Sequence, residues 1–487
     1  MLKRMKSILA VVLVMSLLAI SGSVFAFDYG SIPSSKMPPN GWIDRQWWDP
    51  GSWTTINVTT QGLPANDSSV DASLKVANII STTTGNRILY FPAGTYYFKT
   101  NLQITADNIR LKGADMGSTT FQIEIPSTDS GGIKFVGSDT GSEISVTSDI
   151  ALGANTITVS DASTIAVGDY IRLYAKNKQV NDSMYCFGQI LKVIAKSSNT
   201  LTVDMKMGLA YTSSDTPVIQ KFDPAKNVGI SHVKVYRAND CLDYSGNIVF
   251  NRVVNGYVTD LESSYAPNNH IALYMSKDCV VERTKVHHSY DYGAGSHGYG
   301  IYLNYLTTNC RITDNKLWEL RHHIIFYAGA NHNVVSYNST ETGYVNTNNS
   351  INFHGYYPNN NLIEGNYGKS MNSDDSHGDN GPRNTWFRNR ATTLVGSEDT
   401  GCSEHNIIGN FMYSLATTGS NHYTGANMKS DGTMWWGSLS SSSTIPASLY
   451  LTAKPSFFGS SKPWPIYGPG LTDFGKTNTL PAYDRAQ

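Results

Sequence analysis

The sequence predicts an all-β chain: a right-handed, single-stranded parallel β-helix with a short N-terminal capping helix and a small inserted β-subdomain. Three observations carry this. A six-residue phrase returns through the second half of the chain, Asn recurs at its last position, and helical periodicity is poor throughout.

The phrase reads Cys310-Arg311-Ile312-Thr313-Asp314-Asn315, then Asn333-Val334-Val335-Ser336-Tyr337-Asn338. Further copies run Asn361 to Asn366, Asn384 to Asn389 and His405 to Asn410, with weaker ones at Asn255 to Asp260 and Cys279 to Thr284. The sixth positions are separated by 24, 31, 23, 28, 23 and 21 residues. A period in the low twenties with unequal insertions fits one solenoid coil of short strands and variable loops. Asn suits a repeated corner, because it tolerates the left-handed backbone and can bond its neighbours in a ladder. These Asn residues are therefore read as structural. Leucine-rich repeats would need a denser Leu pattern, and helical solenoids fewer Asn, Gly and Thr.

Upstream, Asn66-Asp67-Ser68-Ser69-Val70-Asp71 leads into a short amphipathic helix through Ile80. Arg87-Ile88-Leu89-Tyr90-Phe91-Pro92-Ala93-Gly94-Thr95-Tyr96 follows, then Asn108-Ile109-Arg110-Leu111-Lys112-Gly113 as a first coil. This stretch resembles the pectate-lyase superfamily of β-helix proteins. The resemblance implies a helix capping the open end of the solenoid, where free strand edges would invite aggregation. It implies no particular chemistry, because lyases, hydrolases, epimerases and phage tailspikes share the motif.

Five segments follow. Residues 1–26 read as a signal peptide: Lys3, Arg4 and Lys6, an apolar run from Ile8 to Ile20, and Val24-Phe25-Ala26 for cleavage. Residues 27–143 hold the cap and first coils. Residues 144–222 alternate in short hairpin-like strands, such as Asn199-Thr200-Leu201-Thr202-Val203, and read as the inserted subdomain. Residues 223–440 carry the main coils, and 441–487 an extended Pro- and aromatic-rich tail that packs on the solenoid. The expectation is a secreted monomer without a membrane span.

Formal net charge is −1, and losing the three basic residues of the leader brings the chain near −4. With no basic patch, nucleic acid is not an expected partner. The 29 Tyr and 9 Trp suit stacking on sugar rings. Five Cys without CxxC spacing form neither a zinc motif nor a disulfide framework, and Cys279 and Cys310 share a repeat position, either as packed interior thiols or as a pair close enough to be oxidised together.

Most of the twelve His lie between His270 and His405, within the Asn-bearing coils. His354 and His377 each stand seven residues before their anchors, Asn361 and Asn384, so they are expected to stack one coil apart. The same count sets Asn352 level with Asp375, places His270 on that level several coils away, and puts Arg321-His322-His323 at the strand edge. Stacked about 4.8 Å apart, these side chains would form a polar stripe suited to a linear polymer. An extracellular polysaccharide is the expected partner.

Two chemistries compete on that stripe. β-Elimination on a uronate polymer needs a base, an acid and a group to neutralise the carboxylate. His354, His377, Asp375 and Arg383 are the catalytic candidates, and His270, Tyr302, Arg321, His322, His323, Asn352 and Tyr356 the substrate-binding ones. Asp374, Asp375 and Asp379 offer oxygen ligands for Ca2+. A C5-epimerase would need nearly the same groups. Glycoside hydrolysis needs two carboxylates instead. Asn372-Ser373-Asp374-Asp375 resembles the paired Asp of β-helix polygalacturonases, but the other motifs of that family are missing, so its catalytic residues are not carried over. The dominance of His and Arg favours elimination. A non-catalytic adhesin is the reading from a different class.

Overall fold

The computed structural model describes residues 27–49, 51–126, 131–178, 184–240, 246–293, 297–341, 350–374, 376–398 and 400–485, and the backbone of 180–181. The leader of the sequence reading, Cys241 and Asp375 lie outside these residues. No helix among the described residues is long and apolar enough to cross a membrane.

Helix α1 (Ala72–Thr82) closes the N-terminal end of a right-handed parallel β-helix. Asp71 caps it by accepting from Ser73 N at 2.9 Å, and the same carboxylate accepts from Lys99 N and Thr100 Oγ1. One side chain thus starts the helix and fastens it to the first coil. Val76 and Ile79 face down into the core.

Each coil contributes to three parallel sheets. The first runs from Thr54–Asn57 and Arg87–Phe91 to Tyr423–Gly425, the second from Gly94–Phe98 to Asn427–Lys429, and the third from Leu102–Ile104 to Ser414–Thr417. Early strands alternate strictly, so Ile109, Leu111, Phe121 and Ile123 point inward and their neighbours outward. The coil at Ile109–Gly113 pairs directly with Gly229–Arg237, so the intervening residues leave the solenoid and return without breaking it. Between them a six-stranded antiparallel sheet runs from Ser138 to Asp223, six residues ahead of the expected boundary at 144. It has its own core, including Ile171, Leu191 and Ile219. The fully buried Lys277 fixes it to the solenoid through Asp204 at 2.9 Å.

The Asn residues build two internal ladders. Asn315, Asn338, Asn366, Asn389, Asn410 and Asn427 form one, in which each Oδ1 accepts both the backbone N–H and the Nδ2 of the preceding Asn at 2.9–3.1 Å. Asn333, Asn361 and Asn384 form the second in the same way. The left-handed residue is not the ladder Asn but the one before it: Asp314, Tyr337, Gly365, Arg388 and Gly409 at one bend, and His332, Asn360 and Arg383 at the other. The bend turns the next side chain inward, where only an amide can serve the facing N–H and C=O groups together.

The chain termini cover the later coils of the first sheet. Ile32, Trp42, Leu449, Tyr450, Phe458 and Tyr467 pack on Val334, Leu362, Phe387 and Ile408. Those outward residues are apolar because they face a second layer of protein.

Candidate functional site

The outer face of the third sheet carries a polar stripe, though not with the membership the sequence suggested. Its pairings run Tyr302 to Ile325, Ile325 to Asn352, Asn352 to Asn372, and Asn372 to Gly396. Two residues further along each strand the ladder continues: His354 N donates to Phe326 O, Asp374 N to Phe353 O, and Glu398 N to Ser373 O, at 3.0–3.1 Å. Tyr327, His354, Asp374 and Glu398 therefore occupy one rung position in four successive coils, each beside a buried neighbour such as Phe326 or Phe353.

His354 Nδ1 lies 2.8 and 2.9 Å from the two Asp374 carboxylate oxygens. Asn352 Nδ2 donates to Asp374 Oδ2, and Ser376 N to Oδ1 at 3.1 Å. Burial alone would raise the Asp374 carboxyl, but the hydrogen bond and charge of His354, with the bonds from Ser376 and Asn352, outweigh it and hold Asp374 below the usual carboxylate range. Asp374 is thus ionised, His354 donates through Nδ1, and Nε2 is the nitrogen not committed to Asp374. The arrangement repeats one coil on, where Asn372 Nδ2 donates to Glu398 Oε2. Two carboxylates in adjacent coils are each steadied by an Asn from the coil before.

His377 reaches this rung by a different route from the one its spacing suggested. Asn352 pairs with Asn372, not with the level of Asp375, so the expected register is shifted by three residues. The extra residues form a loop after the strand, tied back by Tyr356 N to His377 O at 3.0 Å, Gly355 N to Asn380 Oδ1 at 3.1 Å and Asn380 Nδ2 to Asp374 O at 2.9 Å. Gly355, at φ 89°, is required: a Cβ there would lie 2.7 Å from the His377 backbone. The loop sets the His377 ring 4.7 Å from that of His354, edge to face. Tyr327 and Tyr356 flank His377 at 5.4 and 5.9 Å. Burial, then the neighbouring His354, push the His377 imidazole below its ordinary value.

The other candidates separate into groups. His322 joins the cluster, its ring 5.7 Å from His354 and 5.2 Å from Tyr299. Tyr302 is mostly buried among Tyr274, Tyr299 and Tyr327. Arg321 stays at the edge, where it donates to Gly293 O and lies over Tyr299. His270 and His323, expected on the outer face, are instead buried in the solenoid. Burial pushes them down to about 3 and about 4, and His270 contacts Ser263 Oγ and His288 O. Arg383 is also away from the rung. Its left-handed bend sends the guanidinium toward the inserted subdomain, to Asn360 Oδ1 at 2.8 Å and Gly208 O at 2.7 Å. Asp379 is exposed in the loop, its backbone oxygen accepting from Tyr357 N. Among the described residues no group of three or more His, Cys, Asp or Glu side chains is placed to hold a metal ion.

Sequence reading missed Tyr327, Asn372 and Glu398. A signal existed: the triplets Asn352-Phe353-His354, Asn372-Ser373-Asp374 and Gly396-Ser397-Glu398 run across the end of the third-sheet strand in three consecutive coils. Counting from the downstream Asn obscured it, because the connecting loops differ in length.

No family model matches this chain. A capsule K1-specific depolymerase of Klebsiella phage K64-1 is 24% identical over 165 residues, covering 32% of this chain and 19% of that protein. The chain therefore matches about a fifth of the length of that curated relative. Among solved structures, the tailspike gp49 of Pseudomonas phage LKA1 aligns with 77% of each chain, at 14% identity and a TM-score of 0.55. The Gp54 tailspike of Acinetobacter baumannii phage AP22, solved with a capsular saccharide, aligns with 77% of this chain and 70% of its own, at 16% identity and 0.53. At these identities the likeness is one of fold.

Proposed function

We propose that this chain is an exported, monomeric polysaccharide depolymerase that cleaves its polymer on the outer face of the third sheet. The carrying observation is the rung His354–Asp374–Glu398, with its ionised carboxylate and steadied neighbour. The capsule depolymerase and the saccharide-bound tailspike support the substrate class.

The chemistry this rung serves best is glycoside hydrolysis. Asp374 and Glu398 stand on adjacent strands, whose backbones are about 4.8 Å apart, which allows their carboxyls to serve as a retaining pair standing about 5–5.5 Å apart. Asp374 is the carboxylate that meets developing positive charge at the anomeric carbon, and Glu398 the proton donor to the leaving oxygen. His354 and Asn352 orient Asp374, while Tyr327, Tyr356 and His377 supply ring faces and hydrogen bonds to the sugar.

Elimination is the second reading. It is favoured by His377, whose lowered pKa keeps it neutral and able to accept a proton near pH 7, with two tyrosines beside it. Against it, a uronate carboxylate here would face Asp374 and Glu398 while Arg383 points elsewhere. Acidic and neutral polysaccharides incubated with the protein separate the readings. New reducing ends without ultraviolet absorbance mean hydrolysis, and both together mean elimination. Retention of polymer with neither would make this a binding protein.

A further inference from the structure

The terminal segments cover the later coils of the first sheet and wall a groove over its earlier ones. From Arg110 to Arg311 its outer face borders two cavities of about 390 and 380 Å³. They adjoin, because Gln46, Glu282, Arg283 and Arg311 line both. The groove spans four strand pairings, from Arg110 through Gly229, Tyr257 and Val280 to Arg311, or roughly 19 Å at the usual strand spacing. Trp47 lines one cavity and Phe457 the other.

Its three arginines are each paired, and Lys112 and Lys454 also line it, the latter donating to Lys462 O at 2.5 Å. Arg283 holds Asp260 through two bonds of 2.9 and 3.0 Å, and Arg311 reaches Glu282 at 2.6 Å. Arg110 pairs with Asp49 at 3.0 Å, its guanidinium lying 4.0 and 3.5 Å from the ring centres of Trp47 and Trp53. Each guanidinium meets a carboxylate, so none of the three is left to pair with an anionic ligand. What remains is a fixed array of alternating donors and acceptors between aromatic walls. Such an array suits vicinal hydroxyls, and the walls suit the C–H faces of sugar rings. His232 lines the same groove, and its buried Nδ1 has no hydrogen-bond partner among the described residues.

We infer that this groove is a second, non-catalytic site for an uncharged oligosaccharide segment, on a different sheet from the His354–Asp374 rung. The inference rests on the carbohydrate reading of the chain. In a polymer degrader such a site would hold one part of the chain while another is cleaved.

The test uses the Asp374→Asn protein, so that bound sugar is not consumed, with fluorescently labelled maltohexaose, cellohexaose and xylohexaose as probes. At least one should bind, at least tenfold more weakly to Gln46→Trp and His232→Ala versions, and with unchanged affinity to a Tyr327→Ala version. Unchanged thermal midpoints establish that each variant is folded. No binding of any probe overturns the inference. So does binding that Tyr327→Ala abolishes and the groove variants leave intact. Cleavage by the unmodified protein is read separately, so depolymerisation without groove binding sinks the second site alone.

Discussion

Asp374 and Glu364 are carboxylates pushed in opposite directions by one solenoid. Asp374 is held low by His354, Ser376 and Asn352 against the opposing effect of burial. It stays charged as pH falls, so activity that depends on it should persist until pH drops through its depressed value, below the ordinary Asp range near 4. His354→Ala removes the largest stabilising partner, lets the carboxyl rise, and should move the acid limb of kcat/KM to higher pH. A pH–rate profile of the two proteins checks this, and an unmoved acid limb would remove Asp374 from that role.

Glu364 is fully buried on the first sheet, and burial raises it to about 7 although Leu449 N and Tyr337 Oη both donate to it. A carboxyl raised in the folded state is protonated there while the unfolded chain is already ionised. Its stabilising effect is therefore present below pH ~4.5 and lost as pH rises through about 7, a cost on the order of 3 kcal/mol at alkaline pH. Glu364→Gln keeps an acceptor for Leu449 and should flatten that decline in chemical denaturation between pH 5 and pH 8 (values set about the two pKa positions).

At the scale of the element, the Asn ladder is where stability should be most sensitive. Asn366 serves the Asn338 amide and backbone through Oδ1, and Val335 O and Asn389 Oδ1 through Nδ2. Asn366→Ala leaves a buried N–H and a buried C=O unserved and should cost about 3 kcal/mol, each orphaned group contributing about 1–3. Equilibrium denaturation measures it, and a loss below about 1 kcal/mol would mean that the ladder only decorates the coils. This ladder was legible in the sequence because Asn recurs where nothing but an amide fits. Two things were not. Asn427 closes a coil only 17 residues long and fell outside the expected spacing. The bend residues vary freely, since Tyr337, Arg388 and Gly409 share a backbone conformation but no chemistry. That is why Arg383 was read as a site residue: its position in the repeat is fixed by the bend, while its side-chain direction depends on the subdomain packed beside it.

Over the whole molecule, the solenoid, the cap and the meeting of His354 with His377 could be anticipated from the sequence, whereas the carboxylate pair was hidden by counting across loops of unequal length. Coil period is set by the ladders, whereas the outer-face rung depends on loop lengths between ladders, and those vary. His270 and His323 illustrate the same limit: each is buried beside another buried residue, Ile271 and Ile324, so simple alternation fails there. The tail has a global role. Val334, Leu362, Phe387 and Ile408 are almost wholly buried beneath the terminal segments, and burying each such side chain is worth about 1.5–3 kcal/mol. Ending the chain at residue 440 should expose this apolar strip, raise the binding of an apolar dye and lower solubility. A soluble truncated protein with unchanged dye binding would show that the tail is dispensable to the fold.

The central claim is that the His354–Asp374–Glu398 rung cuts a polysaccharide. The most direct measurement follows reducing ends and ultraviolet absorbance together while a panel of capsular and neutral polysaccharides meets the unmodified protein, Asp374→Asn and Glu398→Gln. The account predicts reducing ends without new absorbance for at least one polymer, falling about a hundredfold or more in each variant. Cleavage that survives both substitutions would contradict it.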